Sequence, residues 1–134
     1  MRKIKLVSII DDDKTFRFTT KKILEATESI EEIIQFADGA QAFEYFVTHK
    51  DNPDRTPDLV FLDINMPFMD AWEFLTELSE HSFKKKKITI YVCTSSSISY
   101  DREMLLSYSS LSGYLVKPLL KKNMFRLLDL QLSD

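Results

Sequence analysis

Hydrophobic positions along the chain follow two alternating patterns. Short runs apolar at nearly every residue are separated by longer stretches where apolar residues recur every three or four positions. The first pattern predicts strands buried on both faces, the second amphipathic helices. Ile4–Ile10 predicts a first strand, and Thr15 to Thr27, with Phe16, Ile23, Leu24 and Ala26 at helical spacing, predicts a helix. A strand over Glu32–Phe36 follows, then a helix from Ala40 to His49 with Ala42, Phe43, Phe46 and Val47 on one side. Lys50–Pro57 is a polar loop, Asp58–Leu62 a third strand, and Ala71–Ser82 a helix. Ile88–Cys93 predicts a fourth strand and Tyr114–Val116 a fifth. A weaker helix is expected from Asp101 to Ser110, and a last one over Pro118–Leu130.

Strand and helix alternating about five times predict an α/β fold, a parallel sheet with helices on both faces. Right-handed crossovers leave few topologies, and ligands in such sheets bind outside the carboxyl ends of the strands. The first strand ends in Asp11, Asp12 and Asp13, the third in Asp63, the fourth in Thr94, and the fifth in Lys117 before Pro118. One sheet edge therefore gathers carboxylates, a hydroxyl and an ammonium. Clustered carboxylates repel one another unless a cation neutralises them, and Mg2+ suits a few carboxylates plus water and a phosphate oxygen. Such a cluster can present one carboxylate to a phosphoryl donor while lysine and hydroxyl offset charge on the phosphoryl oxygens. Taken singly, each residue has a plainer role: an aspartate after a strand is ordinarily a helix cap or turn former, a threonine a cap, a lysine a solvated charge. Only their joint occurrence points to chemistry.

Composition narrows the field. The 134 residues suit one domain, and with 44% hydrophobic and 29% charged residues the chain can bury a core. Two glycines, Gly39 and Gly113, exclude glycine-rich phosphate cradles, and the single Cys93 excludes an internal disulfide or a CxxC zinc site. His49 and His81 are too few for a transition-metal centre and are expected at the surface. A net charge of −3 argues against direct DNA binding. Arg2, Lys3 and Lys5 precede an apolar run too short for a signal peptide, and no stretch approaches the roughly 18 apolar residues of a membrane span. A cytoplasmic location with no membrane association is expected.

The motifs VSIIDDD (7–13), LVFLDINMPFMD (59–70), IYVCTS (90–95) and GYLVKP (113–118), in that order, resemble the receiver domain of two-component response regulators over almost the whole chain. The resemblance implies a flavodoxin-like, doubly wound five-stranded sheet of order 2-1-3-4-5, as in the chemotaxis receiver. It implies that Asp63 is the phosphoacceptor. Asp12 would be a direct Mg2+ ligand and Asp11 a ligand through water, with the Asn65 backbone carbonyl also on the metal. Thr94 would be the switch hydroxyl, Tyr114 the aromatic that follows it, and Lys117 the partner of phosphoryl oxygens, with a cis bond before Pro118. The donor would be a sensor histidine kinase or a histidine phosphotransfer protein. The output would be contact with a downstream protein, the chain being a switch with slow autodephosphorylation rather than an enzyme. A single receiver domain over 1–134 is expected, since only 16 residues follow Pro118 and an output domain has no room.

Three positions depart from the family pattern: Ala71 for a common glycine, Leu119 for a common aromatic, and Ser95 for a small apolar residue beside the acceptor. The serine-rich segment 95–112 predicts a marginal helix and a movable surface. Lys84–Lys87 predicts a solvated loop or a docking site for an acidic partner. The competing reading takes Asp11-Asp12-Asp13-Lys14-Thr15 as DxDxT, which resembles the haloacid-dehalogenase phosphohydrolases, with Asp11 as nucleophile and Asp13 as general acid. The order of the other groups argues against it, because here Asp63 precedes both Thr94 and Lys117. A catalytically inert interaction module would leave the acidic cluster a coincidence.

Overall fold

The computed structural model describes residues 3–64, 66, 69–81, 87–95 and 111–133. Five strands form one parallel sheet: β1 (Ile4–Ile10), β2 (Ile30–Phe36), β3 (Leu59–Asp63), β4 (Thr89–Thr94) and β5 (Leu111–Val116). Their order is β2-β1-β3-β4-β5, the doubly wound arrangement expected. Four described helices, α1 (Lys14–Ala26), α2 (Gly39–Thr48), α3 (Ala71–Ser79) and α4 (Lys121–Ser133), cover it. The helix expected over 101–110, nearly all of the serine-rich segment, Asn65 and Lys84–Lys86 lie outside the described residues.

Each of α1, α2 and α3 starts on an aspartate whose side chain satisfies a free backbone N–H: Asp13, Asp38 and Asp70. Asp70 and Glu73 close a full capping box, so the helix begins cleanly at Ala71 without the family's usual glycine. The fifth strand starts earlier than its sequence suggests. Ser112 and Gly113 look like breakers, yet Gly113 lies against the Tyr91 ring, and the β4–β5 register shifts between Ile90 and Tyr91. The last helix begins at Lys121 rather than Pro118, and the peptide before Pro118 is cis.

Strand side chains alternate between two cores. Ile10, Val60, Leu62 and Val92 meet Phe46 of α2 and Phe74 of α3 on one face, where the two rings pack edge to face at 5.5 Å. Val7, Ile9, Phe61 and Cys93 meet Leu24 of α1 and Met124 and Leu128 of α4 on the other. Burial on both faces is why these strands are apolar at successive positions. His49 and His81 are half-buried, their rings packed against Tyr45 and Phe43. Among the described residues, no helix is long and apolar enough to cross a membrane.

Two core positions carry predictions. Ser8 is fully buried in β1, and its Oγ has no hydrogen-bond partner among the described residues. An unsatisfied buried hydroxyl costs about 1 kcal/mol or more, so Ser8→Ala is expected to raise the urea midpoint at unchanged slope. A fall in midpoint would show that the hydroxyl has a partner. Gly39, at the start of α2, sits where a Cβ would overlap the Met69 carbonyl oxygen in the loop after β3. Relieving that overlap means moving backbone, not a flexible side-chain tip. Gly39→Ala is expected to destabilise by about 2 kcal/mol, on the scale of overpacking, measured by thermal or urea unfolding; an unchanged melt would contradict the close approach.

Candidate functional site

The sheet register brings the strand ends together. Ile10 pairs with Leu62, Asp63 with Cys93, and Thr94 with Val116, so Asp11, Asp63, Thr94 and Lys117 all stand at one carboxyl edge. Backbone bonds continue the ladder past the strand ends: Asp11 N–H donates to the Phe36 carbonyl, Ile64 N–H to Cys93, and Lys117 N–H to Thr94 at 2.7 Å. The side chains are thus placed by the hydrogen-bonded frame of the sheet.

At that edge, one oxygen from each of Asp11, Asp12 and Asp63 lies within 4.8 Å of the others. Asp11 is 1% exposed, and both its oxygens are engaged: Oδ1 accepts from the Asp13 N–H and Oδ2 from Lys117 Nζ, each at 2.8 Å. Lys117 Nζ also donates to Asp63 Oδ1 at 3.1 Å. Asp63 Oδ2 has no hydrogen bond among the described residues. Asp12 is exposed.

One ammonium shared by two buried carboxylates does not neutralise both. Burial, then the Asp11 charge, push the Asp63 carboxyl up from 3.8 to about 6, against the opposing pull of Lys117. Burial disfavours the Lys117 charge, but its bonds to Asp11 and the charge of Asp63 outweigh that, so its pKa is raised. The arrangement is short of positive charge. The hard oxygen donor set of Asp11, Asp12 and Asp63 would suit magnesium, which would supply that charge.

Thr94 is buried at the end of β4. Tyr114 pairs with Val92, two residues before Thr94, so the ring and the hydroxyl share one face of the sheet, where Tyr114 packs on the α2/α3 core. Asp13 is no ligand: its carboxylate caps α1, accepting from Thr15 N–H at 2.9 Å and Phe16 N–H at 3.3 Å. With Asp13 capping and Asp11 doubly bonded, the Asp11–Asp13 pair of the phosphohydrolase pattern is not available. Asn65 lies outside the described residues. Two neighbours carry no mark of the site in the sequence. Arg17 donates to the Asp11 carbonyl at 2.6 Å, and the Phe16 ring centroid is 4.3 Å from Lys117 Nζ. Both sit in the first turn after the acidic triplet, where helical spacing marks Phe16 only as core.

Residues 7–129 match the response regulator receiver domain. A protein-glutamate methylesterase/protein-glutamine glutaminase of Geobacter sulfurreducens is 37% identical over 82 residues, covering 61% of this chain and 20% of that protein. Response regulator Rcp1 of Synechocystis sp. is 28% identical over 126 residues, 92% of this chain and 83% of that protein. The chain thus spans about a fifth of the first relative and most of the second. The crystal structure of a two component response regulator from Cytophaga hutchinsonii superposes with a TM-score of 0.85 at 28% identity, covering 99% of this chain and 100% of that one. The receiver domain of sensor histidine kinase PA1611 from Pseudomonas aeruginosa, solved with magnesium coordinated in its active site cleft, superposes with a TM-score of 0.77 at 18% identity, covering 98% and 99%.

Proposed function

The chain belongs to the response regulator receiver domain family, the signalling switches of two-component phosphorelays, and from that premise we propose that it takes a phosphoryl group onto Asp63 from a phosphohistidine of a sensor kinase or phosphotransfer protein. The observation that carries this is Asp63 itself, buried at the end of the central strand beside Asp11, with its carboxyl raised to about 6 and Lys117 at 3.1 Å. Ionised, that carboxylate is the nucleophile, and Lys117 beside it is the cation that meets the incoming phosphoryl oxygens. An Asp63 oxygen attacks phosphorus, the P–N bond breaks, and the imidazole leaves with a proton from solvent. Water later cleaves the acyl phosphate, restoring the carboxylate and releasing inorganic phosphate.

Asp12 and Asp63 would hold Mg2+ directly, Asp11 through water, and the Asn65 carbonyl from the adjoining loop. When bound, the cation would offset negative charge on the phosphoryl oxygens. Lys117 would turn from the carboxylates to a phosphoryl oxygen, and Thr94 would donate to another. Tyr114, on the same sheet face as Thr94, would follow that movement and alter a protein-binding surface. We assign the chain a cytoplasmic role with protein contact, not DNA contact, as its output, and phosphoryl acceptance rather than turnover of an outside substrate as its activity.

Beryllofluoride, an acyl phosphate mimic, tests the assignment. With Mg2+ it is expected to bind the wild type at one site, seen by calorimetry, and to leave Asp63→Asn unaffected. Equal binding by both proteins would refute Asp63 as the acceptor.

A further inference from the structure

An ammonium carries three N–H donors on a flexible stem. For Lys117, Asp11 Oδ2 and Asp63 Oδ1 accept at 2.8 and 3.1 Å, while the Phe16 ring centroid lies 4.3 Å from the same nitrogen. That is well inside the range of a cation–π contact. The turn that carries the ring is anchored. Phe16 N–H donates to the Asp13 cap, and its neighbour Arg17 donates to the Asp11 carbonyl at 2.6 Å and to Gln35 Oε1 at 3.3 Å. The ring itself is half-buried against the α1/α4 core. The first turn of α1 is therefore tied to the acidic loop on one side and to β2 on the other, and it delivers an aromatic face to the lysine.

We propose that Phe16 is a positioning residue for phosphoryl transfer to Asp63, keeping the Lys117 ammonium desolvated and within reach of the incoming phosphoryl oxygens; this rests on Asp63 being the acceptor. The chemistry of the ring explains the choice. Lys117 must exchange a carboxylate oxygen for a phosphoryl oxygen without swinging into water. A third carboxylate would compete for its N–H groups. An aromatic face attracts the charge but offers no directional acceptor, so the ammonium is restrained in place and free to redirect its donors. Leucine would fill similar space without that attraction.

The experiment is a double-mutant cycle on phosphorylation by acetyl phosphate with Mg2+. Phe16→Leu is expected to lower the rate of uptake about tenfold, equivalent to ~1.4 kcal/mol. Phe16→Trp should restore most of it, and Mg2+ affinity should stay unchanged in both. In a Lys117→Met background, Phe16→Leu should add almost nothing, because the group it positions is gone. A wild-type rate in Phe16→Leu, no rescue by Phe16→Trp, or an equal loss in the Lys117→Met background would each overturn the role. These failures differ from failure of the acceptor assignment, in which the wild type itself would take up no phosphoryl group on Asp63. Circular dichroism matching the wild type, with a cooperative unfolding transition above the assay temperature, identifies which variants are folded, and Phe16→Tyr, which keeps the ring, supplies a second active comparison.

Discussion

Asp63→Asn is expected to do two things at once: abolish phosphoryl uptake and make the protein more stable at neutral pH. The first follows because no neighbouring carboxylate is equivalent. Asp11 has both oxygens bonded, Asp12 is exposed, and Asp13 caps α1. The second follows from the raised carboxyl. Folding lifts Asp63 from 3.8 to about 6, so between those pH values the folded protein holds a proton that the unfolded chain releases. Stability conferred by that proton is fully present below pH 3.8 and is lost as pH rises through about 6. At pH 7.5 the ionised group is a net burden of about 2 kcal/mol, below the ~3 kcal/mol that the shift alone would give, because asparagine also forfeits a charged partner for Lys117. In chelator, urea unfolding should show Asp63→Asn more stable than wild type at pH 7.5, with the gap closing by pH 4. A gap that widens on acidification would mean that Lys117, rather than burial and Asp11, governs this carboxylate.

The second large effect falls on Lys117. Its ammonium is the cation that Asp11 and Asp63 share, and Asp11 is almost wholly buried. Removing one partner of a buried pair leaves a charge without compensation and typically costs about 3–5 kcal/mol. The rim of this site is open enough, with Lys117 19% exposed, to place Lys117→Met near the lower end, about 3 kcal/mol. Unfolding in chelator measures it. Adding Asp11→Asn to Lys117→Met should recover much of the loss, since the uncompensated charge is then gone. If the single variant matched wild type within about 0.5 kcal/mol, a scale typical of neutral surface changes, the shared pair would contribute nothing.

Much of this site was legible because buried parallel strands write themselves as unbroken apolar runs, and the polar residue that ends each run marks the sheet edge. Asp11, Asp63, Thr94 and Lys117 all announce themselves that way. What stayed hidden depends on contacts between elements. Phe16 obeys helical spacing, so nothing in the chain distinguishes a ring that only packs from one that also covers an ammonium. Arg17 looks like any helix-surface cation until the Asp11 carbonyl is placed beside it. Gly113 reads as a strand breaker because the Tyr91 ring that lies against it is 22 positions away. Ser8 interrupts an apolar run without saying whether its hydroxyl is satisfied. The acidic triplet divides by tertiary contact as well: its first member is buried, its second exposed, and its third a helix cap.

The most direct measurement locates the phosphoryl group. Wild-type protein is incubated with acetyl phosphate and Mg2+, digested under acidic conditions, and the peptides are mapped by mass spectrometry. The acyl phosphate should appear at Asp63 and decay on addition of base. Phosphate on Asp11, or on no aspartate of the chain, would contradict the proposed mechanism.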